Sequence, residues 1–221
     1  MSTTLFVTGT DTGVGKTRIA CALLRRARQR GLRACGYKPV ASGCARTAQG
    51  LRNEDALALL AESAPGLDYA QVNPIALEEP IAPHIAAARS GVRIDPLFLS
   101  RQHAQLAQRY ERVVVEGAGG WRVPLDADSG FDDWVAANRF PVVLVVGLRL
   151  GCINHALLSA ESILRRTTLA GWVANVLPPE QPYWRENVDT LRARLPAPLW
   201  GVVPMHADAD TAAAALAGAP W

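Results

Sequence analysis

Several features of secreted, zinc-binding and membrane proteins are missing from this 221-residue sequence. It has only four cysteines, and none of them stand in a C-x-x-C or other metal-ligand spacing, so we expect neither a zinc site nor a disulfide framework. The longest strongly apolar run, 141–147, is far too short to cross a bilayer. No basic segment precedes an apolar stretch near the N-terminus, which argues against a signal peptide. We therefore expect a cytoplasmic protein with reduced thiols and no membrane partner.

The sequence also has little excess of positive over negative charge. The formal net charge is +3, and the arginines are dispersed along the chain rather than grouped. A nucleic-acid-binding surface needs a concentrated basic patch, so no nucleic-acid partner is expected. The hydrophobic content of 49% and charged content of 19% are ordinary for a globular enzyme.

Apolar runs of strand length alternate with segments of helical periodicity. Strands are expected at 4–8, 34–40, 112–117, 141–147, 169–176 and 199–204, and helices at 16–30, 53–62 and 95–109, with others between the later strands. The runs 113–115 and 142–146 are continuously aliphatic, as strands buried on both faces must be. The pattern predicts an α/β fold with a mostly parallel central sheet and helices on both faces. The proline-rich segment 65–83 is predicted to be a surface loop, and 1–221 a single domain.

The stretch GTDTGVGKT, residues 9–17, follows the first strand and leads into a helix. It resembles the phosphate-binding pattern G-x-x-x-x-G-K-[ST], except that five residues separate Gly9 from Gly15. Its glycines allow backbone N–H groups to approach a phosphate, Lys16 can reach the β- and γ-phosphates, and the Thr17 hydroxyl can ligate Mg²⁺. We therefore predict a P-loop NTPase-like fold and a nucleotide site. The alternative without a nucleotide is a glycine-rich turn beside an exposed lysine.

Two acids are candidates for a Mg²⁺ site, because this ion takes hard oxygen ligands. Glu116 stands where a buried strand reaches the ligand edge of the sheet and is followed by Gly117, Gly119 and Gly120. Asp55 lies in the first turn of a predicted helix, where an acid also stabilises the helix dipole with no further role. The spacing alone leaves Asp55 open.

Taken in order, several stretches resemble dethiobiotin synthetase: GTDTGVGKT, GYKPVASG, LRNEDALAL, NPIALEEPIAPH, VVVEGAGGW, PVVLVVGLRLGCINHALL, GWVAN and PAPLWG. The resemblance runs from about residue 5 to residue 204, and GYKPVASG, GAGGW and LGCINHALL are far more specific than a phosphate loop alone. The longer loop from Gly9 to Gly15 matches that family's own version, although Gly13 stands where the family has a larger residue. Nothing is carried over to the C-terminal residues 207–221.

The resemblance implies a homodimer that converts 7,8-diaminononanoate, CO₂ and MgATP to dethiobiotin, ADP and phosphate. One amine traps CO₂ as a carbamate, the carbamate is phosphorylated to a carbamic–phosphoric anhydride, and the second amine closes the ring. Phosphorylation makes physical sense because a carbamate is a poor acyl donor. The protein's contribution is then mostly positioning and charge neutralisation.

The resemblance also implies a role for particular residues. Catalytic roles fall on Thr12, Lys16 and Lys38, and Mg²⁺ ligation falls on Thr17, Asp55 and Glu116. Contacts with ATP fall on Gly13, Val14, Gly15, Lys16, Thr17, Asp55, Glu116, Gly117, Ala118, Gly119, Asn175, Pro204, Met205 and His206. Contacts with the diamine fall on Lys38, Ser42, Gly119, Gly151, Cys152, Ile153 and Asn154, the last four from the neighbouring subunit. Without the resemblance, the sequence favours a surface lysine after a strand for Lys38 and a turn residue at a strand end for Asn175.

Three other classes of protein compete with this interpretation. Partitioning and site-placement ATPases use K-G-G-x-G-K-T, but Asp11 replaces the leading lysine here. A non-enzymatic nucleotide-binding regulator would not need Lys38 and Ser42 beside the phosphates. An amidating ligase of the cobyrinate type carries a glutaminase domain, for which 221 residues leave no room.

Overall fold

The computed structural model describes residues 2–221. The strands are β1 (Thr3–Gly9), β2 (Ala34–Tyr37), β3 (Val40–Ala41), β4 (Ala45–Thr47), β5 (Gly50–Arg52), β6 (Ile75–Ala76), β7 (Arg112–Glu116), β8 (Val142–Leu148), β9 (Leu169–Val176) and β10 (Leu199–Val203). The helices are α1 (Lys16–Gln29), α2 (Glu54–Glu62), α3 (Tyr69–Val72), α4 (Pro83–Ser90), α5 (Pro96–Arg109), α6 (Phe131–Ala137), α7 (Cys152–Leu164), α8 (Trp184–Arg194) and α9 (Ala209–Ala215).

A six-stranded sheet in the order β10-β9-β8-β1-β7-β2 forms the centre of the molecule. Every neighbouring pair in it is parallel, so the carboxyl ends of all six strands meet at one edge. The predicted α/β fold with a mostly parallel sheet is confirmed. None of the helices within residues 2–221 has the length and apolar character needed to span a bilayer.

Hydrophobic side chains pack on both faces of the sheet and alternate along each central strand. In β1, Leu5 and Val7 face a core shared with α1, α2 and α9, whereas Phe6 faces the core shared with α5, α6, α7 and α8. In β7, Val114 joins the first core and Val113 and Val115 join the second. Helices therefore cover both faces, which explains why these strands are apolar at consecutive positions.

Two expectations from the sequence are wrong in part. The strand expected over 34–40 leaves the sheet after Tyr37, because Pro39 has no N–H for a sheet hydrogen bond, and β3 pairs instead with β6 in a separate parallel ladder. The segment 65–83 is not a plain loop, since it contains α3 and β6. At the N-terminus of α3 the Asp68 N–H donates to the side-chain oxygen of Gln71 at 3.0 Å, a contact that the sequence analysis missed.

Candidate active site

The loop between β1 and α1 lies at the carboxyl edge of the sheet. Gly15 caps α1 with φ of 94°, a left-handed conformation that favours glycine. Lys16 is only 7% exposed, and its Nζ donates to the Asp11 carbonyl at 3.1 Å. Burial, together with the positive charge of Lys38, lowers the pKa of Lys16. A helix start with unpaired N–H groups and a lysine beside it is suited to bind a phosphate.

Three chain segments bring one lysine and two acids together next to this loop. Lys38 follows β2, Asp55 lies in the first turn of α2, and Glu116 ends β7. The Lys38 Nζ lies 2.6 Å from Glu116 Oε1, 3.0 Å from Asp55 Oδ2 and 3.2 Å from the Gly117 carbonyl oxygen. The Thr17 hydroxyl donates to the same Glu116 Oε1 at 2.9 Å. The sequence interpretation had placed Thr17, Asp55 and Glu116 in one set, and they do converge.

Charge within this cluster is balanced by contact rather than by water. Lys38 is 3% exposed and Glu116 is fully buried. Burial alone would lower the pKa of Lys38, but the carboxylates of Glu116 and Asp55 raise it. Burial alone would raise the pKa of Asp55, and the Lys38 ammonium holds it below its usual value. Glu116 Oε2 is buried without a hydrogen-bond partner among the described residues, so one oxygen of the cluster has no protein donor.

A cavity of about 350 Å³ opens between the phosphate loop and this cluster. It is lined by Thr12, Gly13, Gly15, Lys16, Thr17, Lys38, Ala41, Ser42, Asn53, Asp55, Glu116, Ala118 and Gly119. All but Ala41 and Asn53 were candidate site residues from the sequence. The volume lies at the lower end of the range for small-molecule sites, and eight of the thirteen lining residues have polar side chains.

Other candidate residues do not line this cavity. Val14 is fully buried, and its carbonyl accepts a hydrogen bond from Asn175. Asn175, at the end of β9, is 2% exposed, and its Nδ2 donates to the Val14 carbonyl at 2.9 Å. Pro204, Met205 and His206 follow β10, the strand next to β9. These residues therefore extend the candidate site along the sheet edge, past the phosphate loop.

Residues 151–154 at the start of α7 are also separate from the cavity. Gly151 caps the helix, Cys152 is buried, and Asn154 is exposed. Just before them, Arg149 forms an ion pair with Asp11 of the phosphate loop, and Leu150 is 90% exposed. Within one chain, this helix start is therefore linked to the phosphate loop but does not face Lys38.

Comparison with known proteins agrees with this geometry. Residues 3–213 match a family described as "AAA domain". The chain is 56% identical over 212 residues to an ATP-dependent dethiobiotin synthetase BioD of Pseudomonas paraeruginosa (strain DSM 24068 / PA7), covering 95% of this chain and 93% of that protein. It is 51% identical to ATP-dependent dethiobiotin synthetase BioD 1 of Escherichia coli (strain K12), covering 94% and 93%. The chain belongs to the dethiobiotin synthetase family.

Solved structures outside this family share its fold. A ParA family ATPase from Chlorobium tepidum superposes with a TM-score of 0.58 at 12% identity, covering 99% of this chain and 92% of that one. The signal recognition particle receptor FtsY from Elizabethkingia anophelis gives 0.54 at 13% identity, covering 98% and 65%. Identities this low show a common fold alone, so the ParA likeness does not favour the partitioning ATPase alternative. The predicted P-loop NTPase-like fold is confirmed.

Two asparagines support the site but were not singled out from the sequence. Asn73 is 3% exposed, and its amide donates to the Lys38 carbonyl at 2.7 Å, which fixes the backbone that carries the lysine. Asn53 caps α2 by accepting from the Ala56 N–H and also lines the cavity. From the sequence, Asn53 was expected only as the first residue of the helix over 53–62. For Asn73 the sequence offered no signal, because this residue stands in a segment interpreted as loop.

Proposed function

We propose that this chain is an ATP-dependent dethiobiotin synthetase, acting as one domain over residues 1–221. It takes 7,8-diaminononanoate, CO₂ and ATP and forms dethiobiotin, ADP and phosphate. The observation that carries the proposal is 56% identity to a dethiobiotin synthetase over 95% of this chain and 93% of that protein. The cavity between the phosphate loop and Lys38 is consistent with it, because it joins a phosphate site to a fixed cation.

The proposed reaction has three steps. One substrate amine adds to CO₂ and loses a proton, which gives a carbamate. A carbamate oxygen attacks the γ-phosphorus of ATP, the bond to the bridging oxygen breaks, and ADP leaves. The second amine then attacks the carbonyl carbon, the bond to the phosphate oxygen breaks, and the cyclic urea, phosphate and a proton are released. Holding the groups within reach supplies much of the rate enhancement in such reactions.

The start of α1 would hold the phosphates. The N–H groups of residues 13–17 and the positive end of the helix favour anions, and Lys16 adds a charge at close range. Thr12 and Gly119, which line the same cavity, would lie on the substrate side of the γ-phosphate, with Ser42 contacting the diamine. This arrangement orients the γ-phosphorus towards the space in front of Lys38.

Lys38 would act on the carbamate and the γ-phosphate. Its ammonium is buried and contacts two carboxylates at the edge of the cavity, so a small movement towards the cavity would place the charge at the carbamate and the γ-phosphate. A preorganised cation aimed at developing negative charge stabilises the transition state more effectively than a solvated one. The backbone of Lys38 is itself fixed by Asn73. We therefore assign to Lys38 the main electrostatic role in the chemical step.

Mg²⁺ is the cofactor that the cluster fits. Thr17, Asp55 and Glu116 offer only hard oxygens, and the buried Glu116 Oε2 has no hydrogen-bond donor among the described residues. Bound there with ATP, the ion would neutralise charge on the β- and γ-phosphate oxygens. The Thr17 hydroxyl now donates to Glu116 Oε1, so ligation would require it to turn its lone pair towards the ion.

The nucleotide base would lie along the sheet edge beyond the phosphate loop. Asn175 and the backbone of Pro204, Met205 and His206 are the proposed contacts with adenine. Support comes from the contact between Asn175 Nδ2 and the Val14 carbonyl, which fixes this amide against the loop that would hold the phosphates.

The active protein is proposed to be a homodimer in which residues 151–154 of one subunit bind the diamine's carboxylate for the other. In one chain these residues do not line the Lys38 cavity, so a partner is needed to bring them to a substrate there. The helix face around them is suited to association, since Leu150 is 90% exposed and Leu158 is 57% exposed.

The decisive experiment is a stoichiometric assay of phosphate and dethiobiotin. Both should appear together, and phosphate release should require the diamine and a source of CO₂. Equal ATP turnover without the diamine would contradict the proposal and favour the partitioning-ATPase alternative.

A further inference from the structure

Arg18 joins two strand ends that lie on either side of the proposed base site. It follows Thr17 in α1, and its guanidinium donates to Asn175 Oδ1 at 3.2 Å. The other terminal nitrogen donates to the carbonyl oxygens of Pro204 and Ala207, each at 2.8 Å. One side chain therefore ties the end of β9 to the segment after β10. No role was assigned to Arg18 from the sequence.

The contact with Arg18 also fixes which way the Asn175 amide points. Its nitrogen donates to the Val14 carbonyl and its oxygen accepts from Arg18. Turning the amide over would place the nitrogen against the guanidinium donors and the oxygen against a carbonyl oxygen, which are two repulsive contacts. The Val14 carbonyl alone would hold one end of the amide, and Arg18 adds the constraint at the other end.

We propose that Arg18 is a positioning residue that sets the base selectivity of the nucleotide site by fixing the Asn175 amide and the Pro204–Ala207 backbone. The inference rests on the proposed function in one respect, that a nucleotide base lies beside Asn175. The sequence gives no reason to expect this role for Arg18, because the residue after Thr17 simply continues the helix that follows the phosphate loop.

A fixed amide discriminates between bases because it presents one arrangement of donor and acceptor. The Asn175 oxygen keeps a second lone pair and the nitrogen keeps a second N–H for a ligand. Adenine carries an amino group at position 6, whereas guanine carries an oxygen there, so a site that offers a fixed acceptor favours one and repels the other. Without Arg18 only the Val14 carbonyl opposes turning the amide over, so the turned arrangement becomes easier to reach and the discrimination falls.

The test compares three ligands on wild-type protein and on Arg18→Ala. ATP, GTP and inorganic triphosphate are titrated by calorimetry without the diamine. We expect Arg18→Ala to weaken the binding of ATP about tenfold, in line with the loss of one or two hydrogen bonds to the base. Triphosphate should bind unchanged, because it touches only the loop and Lys16. The ratio of ATP affinity to GTP affinity should fall at least about fivefold.

Arg25→Ala is the matched control on the same helix. Arg25 ties α1 to Glu62 of α2 and to Asp210 of α9 but does not contact Asn175. It should loosen the C-terminal helix while leaving the ATP-to-GTP ratio unchanged. If Arg18→Ala fails to fold, Arg18→Lys, which keeps the charge but not the forked geometry, should give an intermediate ratio.

A double substitution tests whether Arg18 acts through Asn175. In an Asn175→Ala background, Arg18→Ala should change the ratio far less than in the wild type. Three outcomes would overturn the proposal: an unchanged ratio in Arg18→Ala, tighter ATP binding in that variant, or wild-type protein that binds triphosphate as tightly as ATP. Tighter binding would mean that Arg18 occupies the place of the base.

The two proposals fail separately. Protein whose ATP preference depends on Arg18 but which forms no dethiobiotin would refute the proposed function only. Protein that forms dethiobiotin equally well with ATP and GTP would refute the role of Arg18 only.

Discussion

The ammonium of Lys38 lies 2.6 Å from Glu116 Oε1, and both side chains are almost completely buried. The same oxygen accepts from Thr17, and Asp55 completes the ring around the lysine. A cation thus already stands among the oxygens that the proposed Mg²⁺ needs. Since two cations cannot share these oxygens at low cost, we expect the ion to displace Lys38 towards the cavity, where the γ-phosphate would lie.

Replacing Lys38 tests this competition directly. Lys38→Met keeps most of the side-chain volume but removes the charge that faces Glu116 and Asp55. We expect dethiobiotin formation to slow by at least about 10²-fold, because one preorganised group aimed at developing charge is commonly worth that much. Mg²⁺ without nucleotide should raise the melting temperature of Lys38→Met more than that of the wild type, since the freed carboxylates then bind the ion.

Lys16→Ala is the comparison variant for Lys38→Met. It should also slow the reaction by at least about 10²-fold, but mainly with weaker ATP binding, because Lys16 belongs to the phosphate loop. Near-normal turnover of Lys38→Met, measured in single-turnover experiments, would return Lys38 to a structural role.

The acids of the cluster should control the metal requirement. Asp55→Asn and Glu116→Gln keep the shape of the side chains but weaken oxygen donors for Mg²⁺, so half-maximal activity should need several times more of the ion. Glu54→Gln is the matched control, because Glu54 is exposed in the same first turn of α2 and does not line the cavity. A structure with MgATP in which Asp55 lies away from the ion and its waters would remove it from the set.

Two glycines of the phosphate loop should respond differently to the same substitution. Gly15 has φ of 94°, and a Cβ there would collide with the Asn175 Nδ2. Gly13 has φ of 74°, but a Cβ there meets nothing within 4 Å. Gly13→Ala should therefore cost about 1 kcal/mol of backbone strain, whereas Gly15→Ala adds a clash with a buried amide. ATP titrations should show Gly13→Ala within about tenfold of wild type and Gly15→Ala far weaker. Equal losses in the two variants would contradict this account.

The sequence predicted the central sheet because aliphatic strands and amphipathic helices have distinct periodicities. The parallel arrangement follows from the alternation of strands and helices, and strand ends in such a sheet meet at one edge, where Lys38 and Glu116 lie. The grouping of Thr17, Asp55 and Glu116 came from the family resemblance, since spacing alone left Asp55 open. The break after Tyr37 was missed although Pro39 signals it, since the apolar run continues past the proline. The prediction from the apolar run gave too little weight to the missing N–H of Pro39.

The roles of Arg18 and Asn73 could not have been read from spacing. Arg18 contacts Asn175 and Pro204, which lie far along the chain, and only the folded sheet brings these strand ends to α1. Asn73 acts on the Lys38 carbonyl, a backbone atom without a sequence signal. The ligand roles of the site residues stay predictions.

Stability should fall in mildly acidic solution because of His103. Its ring is 8% exposed, its Nε2 lies 2.9 Å from Thr4 Oγ1, and its centroid is 4.5 Å from that of Phe140. Burial lowers the pKa of His103 from 6.5 to about 4. Below about pH 6.5 the histidine binds a proton in the unfolded chain, whereas in the folded protein it stays neutral down to about pH 4. The contribution of neutral His103 to stability is therefore complete above pH 6.5 and is lost as the pH falls from 6.5 to 4.

The size of that loss can be measured by urea unfolding. The histidine should account for about 3 kcal/mol of unfolding free energy between pH 7 and pH 4. His103→Gln keeps a polar partner for Thr4 and should flatten the pH dependence by that amount. His155→Gln, on the exposed face of α7, is the control. An identical pH slope in His103→Gln and wild type would exclude His103 as the cause.

The proposed sharing of the active site between two subunits makes the sharpest prediction, because two inactive proteins should restore each other. Gly151→Glu places a negative charge where the diamine's carboxylate is proposed to bind. A Cβ at this position meets nothing within 4 Å in its own chain, so the φ of 92° adds only about 1 kcal/mol of backbone strain. The variant should therefore fold and dimerise yet bind the diamine poorly. Lys38→Ala keeps this helix start but lacks the cation for the chemical step.

In a hybrid of these two variants, one site pairs an intact Lys38 with an intact Gly151 of the other subunit, and the second site carries both defects. Mixing equal amounts under conditions where subunits exchange should therefore recover about a quarter of wild-type activity, because about half of the dimers are hybrids with one working site each. If each chain supplied its own carboxylate site, every chain in the mixture would remain defective. A mixture that stays inactive although exchange is demonstrated, or a monomer with full activity, would refute the sharing of the site.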